Sequence, residues 1–162
     1  MRHNPFVYFD SIRQDPVRRL RGIVPLTQLG EDLKQNRLPE LVFIMPNLCH
    51  SSHDCGLEVA DLWLGWVVES ILGSPAFDPN SLLVLTFDEG ITSLGRCGSQ
   101  PQGGGGHIAT VLISPLVKPG FQDPTPYSHY SLLKTIEAAW GLEELGRTSD
   151  PSHNMIIQPW QR

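Results

Sequence analysis

A chain of 162 residues, 40% apolar and 8% aromatic, has room for one compact domain with a packed core, which excludes global disorder. Lys and Arg number 12 against 17 for Asp and Glu, a net charge of −5, and that balance excludes a general nucleic-acid binder needing a basic face. No apolar run reaches the roughly 20 residues of a bilayer span, and no stretch of signal-peptide form is visible near Met1.

Helical and extended patterns alternate along the chain. Leu26 to Asn36 reads as a helix, with Leu26, Leu29 and Leu33 on one face and Pro39 beyond its end. Leu41-Val42-Phe43-Ile44-Met45 is a continuous apolar run between prolines, the pattern of a strand buried on both faces. A polar loop, 46–56, leads to the strongest helical stretch, Leu57 to Leu72, closed by Gly73 and Pro75. Trp63 and Trp66 on that helix are expected in the core. Leu82 to Phe87 and Ile108 to Ile113 read as two further buried strands, and Tyr130 to Trp140 as a last helix with Ser128 as its N-cap. Strand, helix, strand implies a parallel pair covered by helices. The stretch from Asp88 to His107 has no helical period, so the third strand is expected to run antiparallel. The fold class is therefore α/β in a single domain, 1–162: a mostly parallel sheet with one antiparallel strand and helices on both faces.

That topology gathers polar loops at one sheet edge, where α/β proteins bind ligands. It brings together Asn47, His50, His53 and Asp54 after the first strand, Asp88-Glu89 after the second, and His107 before the third. Two adjacent acids at a strand end repel each other unless a cation or basic group compensates. Imidazole with carboxylate suits zinc, manganese or iron, and oxygen donors alone suit magnesium or calcium. The set His53, Asp88, Glu89 and His107 reads as a divalent-metal site. Gly103 to Gly106 reads as a flexible linker, with close approach to an anion as the alternative. His129 either faces substrate or packs on the sheet edge, and His3 and His153 read as surface residues. Cys49 and Cys55 either bridge their loop or stay as free thiols, and the odd count, with Cys97, leaves at least one unpaired. Structural zinc is disfavoured because no second Cys/His pair follows. Neither a Gly-x-Ser-x-Gly elbow nor a P-loop occurs.

Several stretches together carry a family resemblance: Arg2-His3-Asn4-Pro5-Phe6, Phe43-Ile44-Met45-Pro46-Asn47, His53-Asp54-Cys55, Leu85-Thr86-Phe87-Asp88-Glu89-Gly90, Gly104-Gly105-Gly106-His107 and His129-Tyr130-Ser131. In order and type they resemble the phosphoesterase family that groups bacterial phospholipases C with acid phosphatases, a branch of the alkaline phosphatase superfamily. The resemblance implies a partial alkaline-phosphatase-like layered sheet and metal-dependent hydrolysis of phosphoric esters. It implies a zinc, manganese, calcium or magnesium ion held by His53, Asp88, Glu89 and His107, with Asn47, His50 and Asp54 as further candidates and His129 at the pocket's edge. The family's loop reads Asn-Asp-x-His-Asp; here Ser51 stands in the acidic place, with His50 beside it. The family's Glu-Asn metal motif and its Ser or Thr nucleophile lie upstream of the Arg-His-Asn-Pro-Phe segment. The expectation is thus a carboxyl-terminal portion lacking the nucleophile, which needs the upstream half or a complementing chain. The rival expectation is a truncated, inactive relic or a cation-binding module. An open apolar sheet edge in such a portion predicts self-association. Relatives are often secreted or periplasmic, and the localisation of this chain stays open.

Overall fold

A computed structural model describes residues 4–92 and 104–161, which fall into two units, Met1–Asp78 and Pro79–Arg162. His3, Gly103 and Cys97 lie outside the described residues.

In the first unit, short helices follow capping signals written in the sequence. Asn4 accepts from Phe6 N at 3.0 Å to start a 3₁₀ turn, Pro5–Tyr8. Then come α1, Asp10–Arg13, and α2, Pro16–Gly22. Asp15 caps α2 by accepting from Val17 N and Arg18 N, each at 3.0 Å, and Pro16 sits where no helical N–H is needed. The expected 26–36 helix forms as a 3₁₀ turn, Leu26–Gln28, running into α3, Leu29–Lys34. Helix α4 occupies Leu57–Leu72, as its pattern predicts, and Gly73 ends it. Leu29 and Leu33 of α3 and Val67 and Ile71 of α4 are the buried apolar residues of this unit.

Two expectations fail here. Trp66 is 61% exposed, because the buried face of α4 is set by Val67 and Ile71 one turn apart, and Trp66 points about 100° away from Val67. Trp63, one turn before Val67, is half-buried. Leu41 to Met45 forms neither helix nor strand, and Leu41, Val42 and Phe43 are exposed. An apolar run becomes a strand only when another strand satisfies its backbone, and none pairs with it among the described residues. Phe43 instead meets Phe6 edge to face, with ring centroids 6.0 Å apart.

The second unit is built on a two-stranded antiparallel sheet. Strand β1, Leu83–Thr86, pairs with β2, Thr110–Ile113, in the register Leu83↔Ile113 through Thr86↔Thr110. The antiparallel step expected across 88–107 is present. Helix α5, His129–Ala139, follows this pair in the chain. Its Leu132, Thr135, Ile136 and Ala139, at helical spacing, line an apolar cavity of about 70 Å³ together with Leu82, Leu112, Ile156 and Trp160. Ser128 N donates to Ser131 Oγ at 3.2 Å at the start of the helix. The architecture is α/β, with the sheet of the described residues reduced to this one pair.

The chain after the last 3₁₀ turn, Gly146–Ser149, folds back over α5. Ile156 N donates to Thr135 Oγ1 at 2.9 Å, and Trp160 Nε1 to Ile156 O at 2.6 Å. This return buries His153, which corrects its expected surface position. Its Nδ1 lies 3.3 Å from Ser128 Oγ, and its ring lies 4.7 Å from that of Tyr130. Glu137 is also buried, 2% exposed, and its Oε1 accepts from Leu145 N at 3.2 Å. Glu137→Leu should cost about 1–3 kcal/mol by stranding that N–H, whereas Glu137→Gln keeps an acceptor oxygen and most of the stability. Urea unfolding of the two variants would separate these outcomes.

The turn before α5 is tied by Asp123, which accepts from Thr125 N at 3.0 Å and from Tyr127 Oη at 2.9 Å. Burial pushes its carboxyl up, but the hydrogen bonds from Thr125 and Tyr127 outweigh burial and hold it below the ordinary carboxylate value. Burial first, then the Asp123 carboxylate, push the Tyr127 phenol up. A carboxyl depressed in the folded state adds stability above its unfolded pKa of about 4, and that contribution is lost as pH falls through the lower folded value. Asp123→Asn should therefore flatten the fall in urea midpoint on the acid side of about pH 4 and leave the Tyr127 tie weaker at neutral pH.

Candidate active site

The loop 46–56 of the first unit is closed on itself. Asn47 Oδ1 accepts from His50 N at 2.8 Å, and Leu48 O accepts from both His53 N and Asp54 N at 3.0 Å. Ser52 takes a positive φ of 64°, which lets the chain turn back sharply there. Cys49 and Cys55 are joined in a disulfide, with Cα atoms 4.7 Å apart, so the bridged alternative holds. Closing so short a loop should contribute about 2 kcal/mol by limiting the unfolded chain. Reduction with a phosphine, or the double change Cys49→Ser and Cys55→Ser, should lower the unfolding free energy by that amount, read from urea curves.

Within this loop the side chains divide. His50 stacks on Trp63, with ring centroids 5.3 Å apart and planes 10° from parallel. His53 is exposed, and its Nδ1 lies 2.7 Å from Asp54 Oδ1. A carboxylate on Nδ1 holds that nitrogen protonated and leaves Nε2 with the lone pair, the state in which imidazole binds a metal. Asn47 spends its oxygen on the loop backbone, and Ser51 Oγ donates to Leu48 O at 3.2 Å.

In the second unit, Asp88 and Glu89 follow the end of β1 and are exposed. Asp88 Oδ1 accepts from Glu89 N at 3.0 Å. Gly90 N donates to Gly105 O at 2.7 Å, which continues the pairing of the two chain segments beyond the β1–β2 ladder. The glycines here are required by contact. A Cβ on Gly90 would stand 2.8 Å from His107 O, and Gly106, at φ +84°, has its missing Cβ aimed at Thr92 O. Close backbone packing, rather than a free linker, explains Gly106, while Gly105 has open space around it and a positive φ of 71°. The same packing sets the backbone of His107 against Gly90, next to the acidic pair. His129, the first residue of α5, has its Nε2 2.8 Å from Asp88 O.

Of the expected metal residues, His53 thus belongs to one unit, and Asp88, Glu89 and His107 to one corner of the other. Among the described residues no three His, Cys, Asp or Glu side chains are gathered closely enough to hold an ion. The donor types still suit a divalent cation: two carboxylates in sequence, and an imidazole whose tautomer is set by Asp54. No described helix is long and apolar enough to cross a membrane.

The chain is 38% identical over 146 residues to a phosphate-repressible acid phosphatase of Penicillium chrysogenum, covering 90% of this chain and 34% of that protein. It is 33% identical over 148 residues to an acid phosphatase of Aspergillus niger, covering 89% of this chain and 33% of that protein. It is 32% identical over 145 residues to a phosphatidylinositol-3-phosphatase of Mycobacterium tuberculosis, covering 90% of this chain and 42% of that protein. The chain spans about a third of the length of the two acid phosphatases. The family model described as "Phosphoesterase family" matches residues 7–143, taking in the disulfide-closed loop, the acidic pair, His107 and His129. The chain belongs to the Phosphoesterase family.

Proposed function

We propose that the chain takes part in metal-dependent hydrolysis of phosphoric esters, of the acid phosphatase or phospholipase C kind, and supplies the residues that hold the ion. Asp88, Glu89 and His107 are its ligands in the second unit; in the first unit the donors are His53, with His50, Asn47 and Asp54 in support. When bound, a zinc, manganese, calcium or magnesium ion would offset the charge on phosphate oxygens. Asp54 holds His53 in the tautomer that leaves Nε2 available, and the Gly90–Gly106 contact holds His107 beside Asp88-Glu89. No nucleophile is assigned within these residues, so attack on phosphorus needs a hydroxyl from the part of the relatives that this chain does not match, or from a complementing chain. The mostly parallel layered sheet belongs to that assembled state, and self-association through open strand edges is its counterpart in the isolated chain.

The observation that carries this reading is the β1–β2 register, which sets the acidic pair and His107 on adjoining backbone. A catalytically silent cation binder is the rival. Hydrolysis of p-nitrophenyl phosphate by a protein that combines these residues with the upstream portion of a relative tests the choice. Turnover that stops with a chelator and returns with one divalent ion supports the proposal; turnover indifferent to the chelator removes the ion from it. Hydrolysis by the chain alone would place the nucleophile among its own hydroxyls.

A further inference from the structure

The contact between His129 and Asp88 crosses a long stretch of sequence and joins the first residue of a helix to the acidic turn. Its chemistry is one-sided. A main-chain carbonyl has no proton to give, so the ring Nε2 must be the donor, at 2.8 Å from Asp88 O. The bond therefore requires a proton on Nε2. Helix α5 is seated independently of this bond, because the returning chain is tied to it by Ile156 N donating to Thr135 Oγ1 at 2.9 Å and by Lys134 Nζ donating to Thr148 O at 2.9 Å. The helix therefore presents His129 from a fixed base.

The acidic turn, in contrast, lies past the last ladder pair, Thr86↔Thr110, and its side chains are exposed. It is held from two sides. Gly90 N donates to Gly105 O at 2.7 Å on the His107 side, and His129 holds Asp88 O on the other. Two anchors, one on each side of Glu89, set the direction in which the Asp88 and Glu89 side chains leave the backbone.

We infer that His129 is a positioning residue. It clamps the main chain of Asp88 so that the Asp88 and Glu89 carboxylates are pre-set for the cation, without touching it. The inference rests on the metal-holding role of those two residues under the proposed function. Groups that orient ligands in this way typically affect metal affinity by about 10- to 100-fold when removed.

The test compares His129→Ala with His129→Gln in the chain as it stands, Gln offering an amide N–H at similar reach to the carbonyl. Manganese binding, read from free Mn²⁺ by electron paramagnetic resonance, should weaken at least about 10-fold in His129→Ala and recover most of that loss in His129→Gln. Urea midpoints of both variants should stay near that of the parent, since the contact is exposed. Parent-like binding in His129→Ala, or no recovery in His129→Gln, overturns the inference. Amide resonances of Asp88, Glu89 and Gly90 provide a readout that needs no metal. They should shift in His129→Ala and return towards parent positions in His129→Gln, and unmoved resonances in His129→Ala overturn the clamp. A parent chain that binds no manganese refutes the metal-holding role, and these resonances then decide the clamp by themselves.

Discussion

Asp88→Ala should lower metal-dependent phosphoester hydrolysis on the order of a thousandfold in any active protein that contains these residues, because a lost carboxylate ligand removes several kcal/mol of charge stabilisation. The substitution is informative because Asp88 acts through two separate groups. Its main-chain oxygen accepts from His129, and alanine retains that oxygen. Its carboxylate accepts from Glu89 N, and alanine loses that bond, at a cost of about 1 kcal/mol in an exposed turn. The expected signature is a collapse of turnover with a small change in urea midpoint. Asp88→Asn restores the turn hydrogen bond but not the negative charge, so it should recover stability and leave turnover low. Activity that survives in Asp88→Ala would remove this residue from the mechanism.

Gly106→Ala should be the most destabilising single change in the second unit outside its core, at about 3 kcal/mol. Two effects add. At φ +84° an alanine is strained, and its Cβ would run into Thr92 O, part of the backbone, which cannot rotate away as a side chain would. Gly105→Ala is the internal control: its φ is +71°, but its Cβ would meet open space, so about 1 kcal/mol is expected. The difference between the two variants, measured by urea unfolding, isolates the steric part. Equal effects would mean that the 90–92 and 105–107 segments are not packed as described. A Gly106 variant that stays folded should also bind manganese more weakly, because the backbone of His107 is then pushed from the acidic pair.

The parts of the fold that were legible in the sequence are those decided locally. Leu57–Leu72 is a helix because its apolar spacing and its glycine stop agree, and Ser128 marks the start of the last helix because the stretch after it has a helical period. The antiparallel step was legible for a different reason: a crossover helix needs a helical pattern, and the stretch before His107 has none. What depends on distant partners was not. Leu41 to Met45 has the composition of a buried strand, yet composition does not supply the neighbour that would pair with it. His153 follows a polar turn and looks like a surface residue until Ile156 and Trp160 fold the chain back over α5.

The candidate site divides along the same line. Asp88, Glu89, His53 and His107 stand out in the sequence as candidate donors by residue type and loop position. The role of Gly106 does not, because a linker and a close backbone crossing use the same residue, and only φ and the missing Cβ tell them apart. The disulfide was one of two open alternatives, since spacing permits a bridge without requiring it. The bond from His129 to Asp88 O left no trace in the sequence, because a main-chain acceptor has no residue type.

The central claim is that Asp88, Glu89 and His107 act as ligands of one divalent ion. Calorimetric titration of the chain with manganese, repeated on the three single alanine variants, tests that claim most directly. One ion per chain, bound distinctly more weakly in every variant, is the predicted result. Binding unaltered by all three substitutions, or no binding to the parent chain, would contradict it.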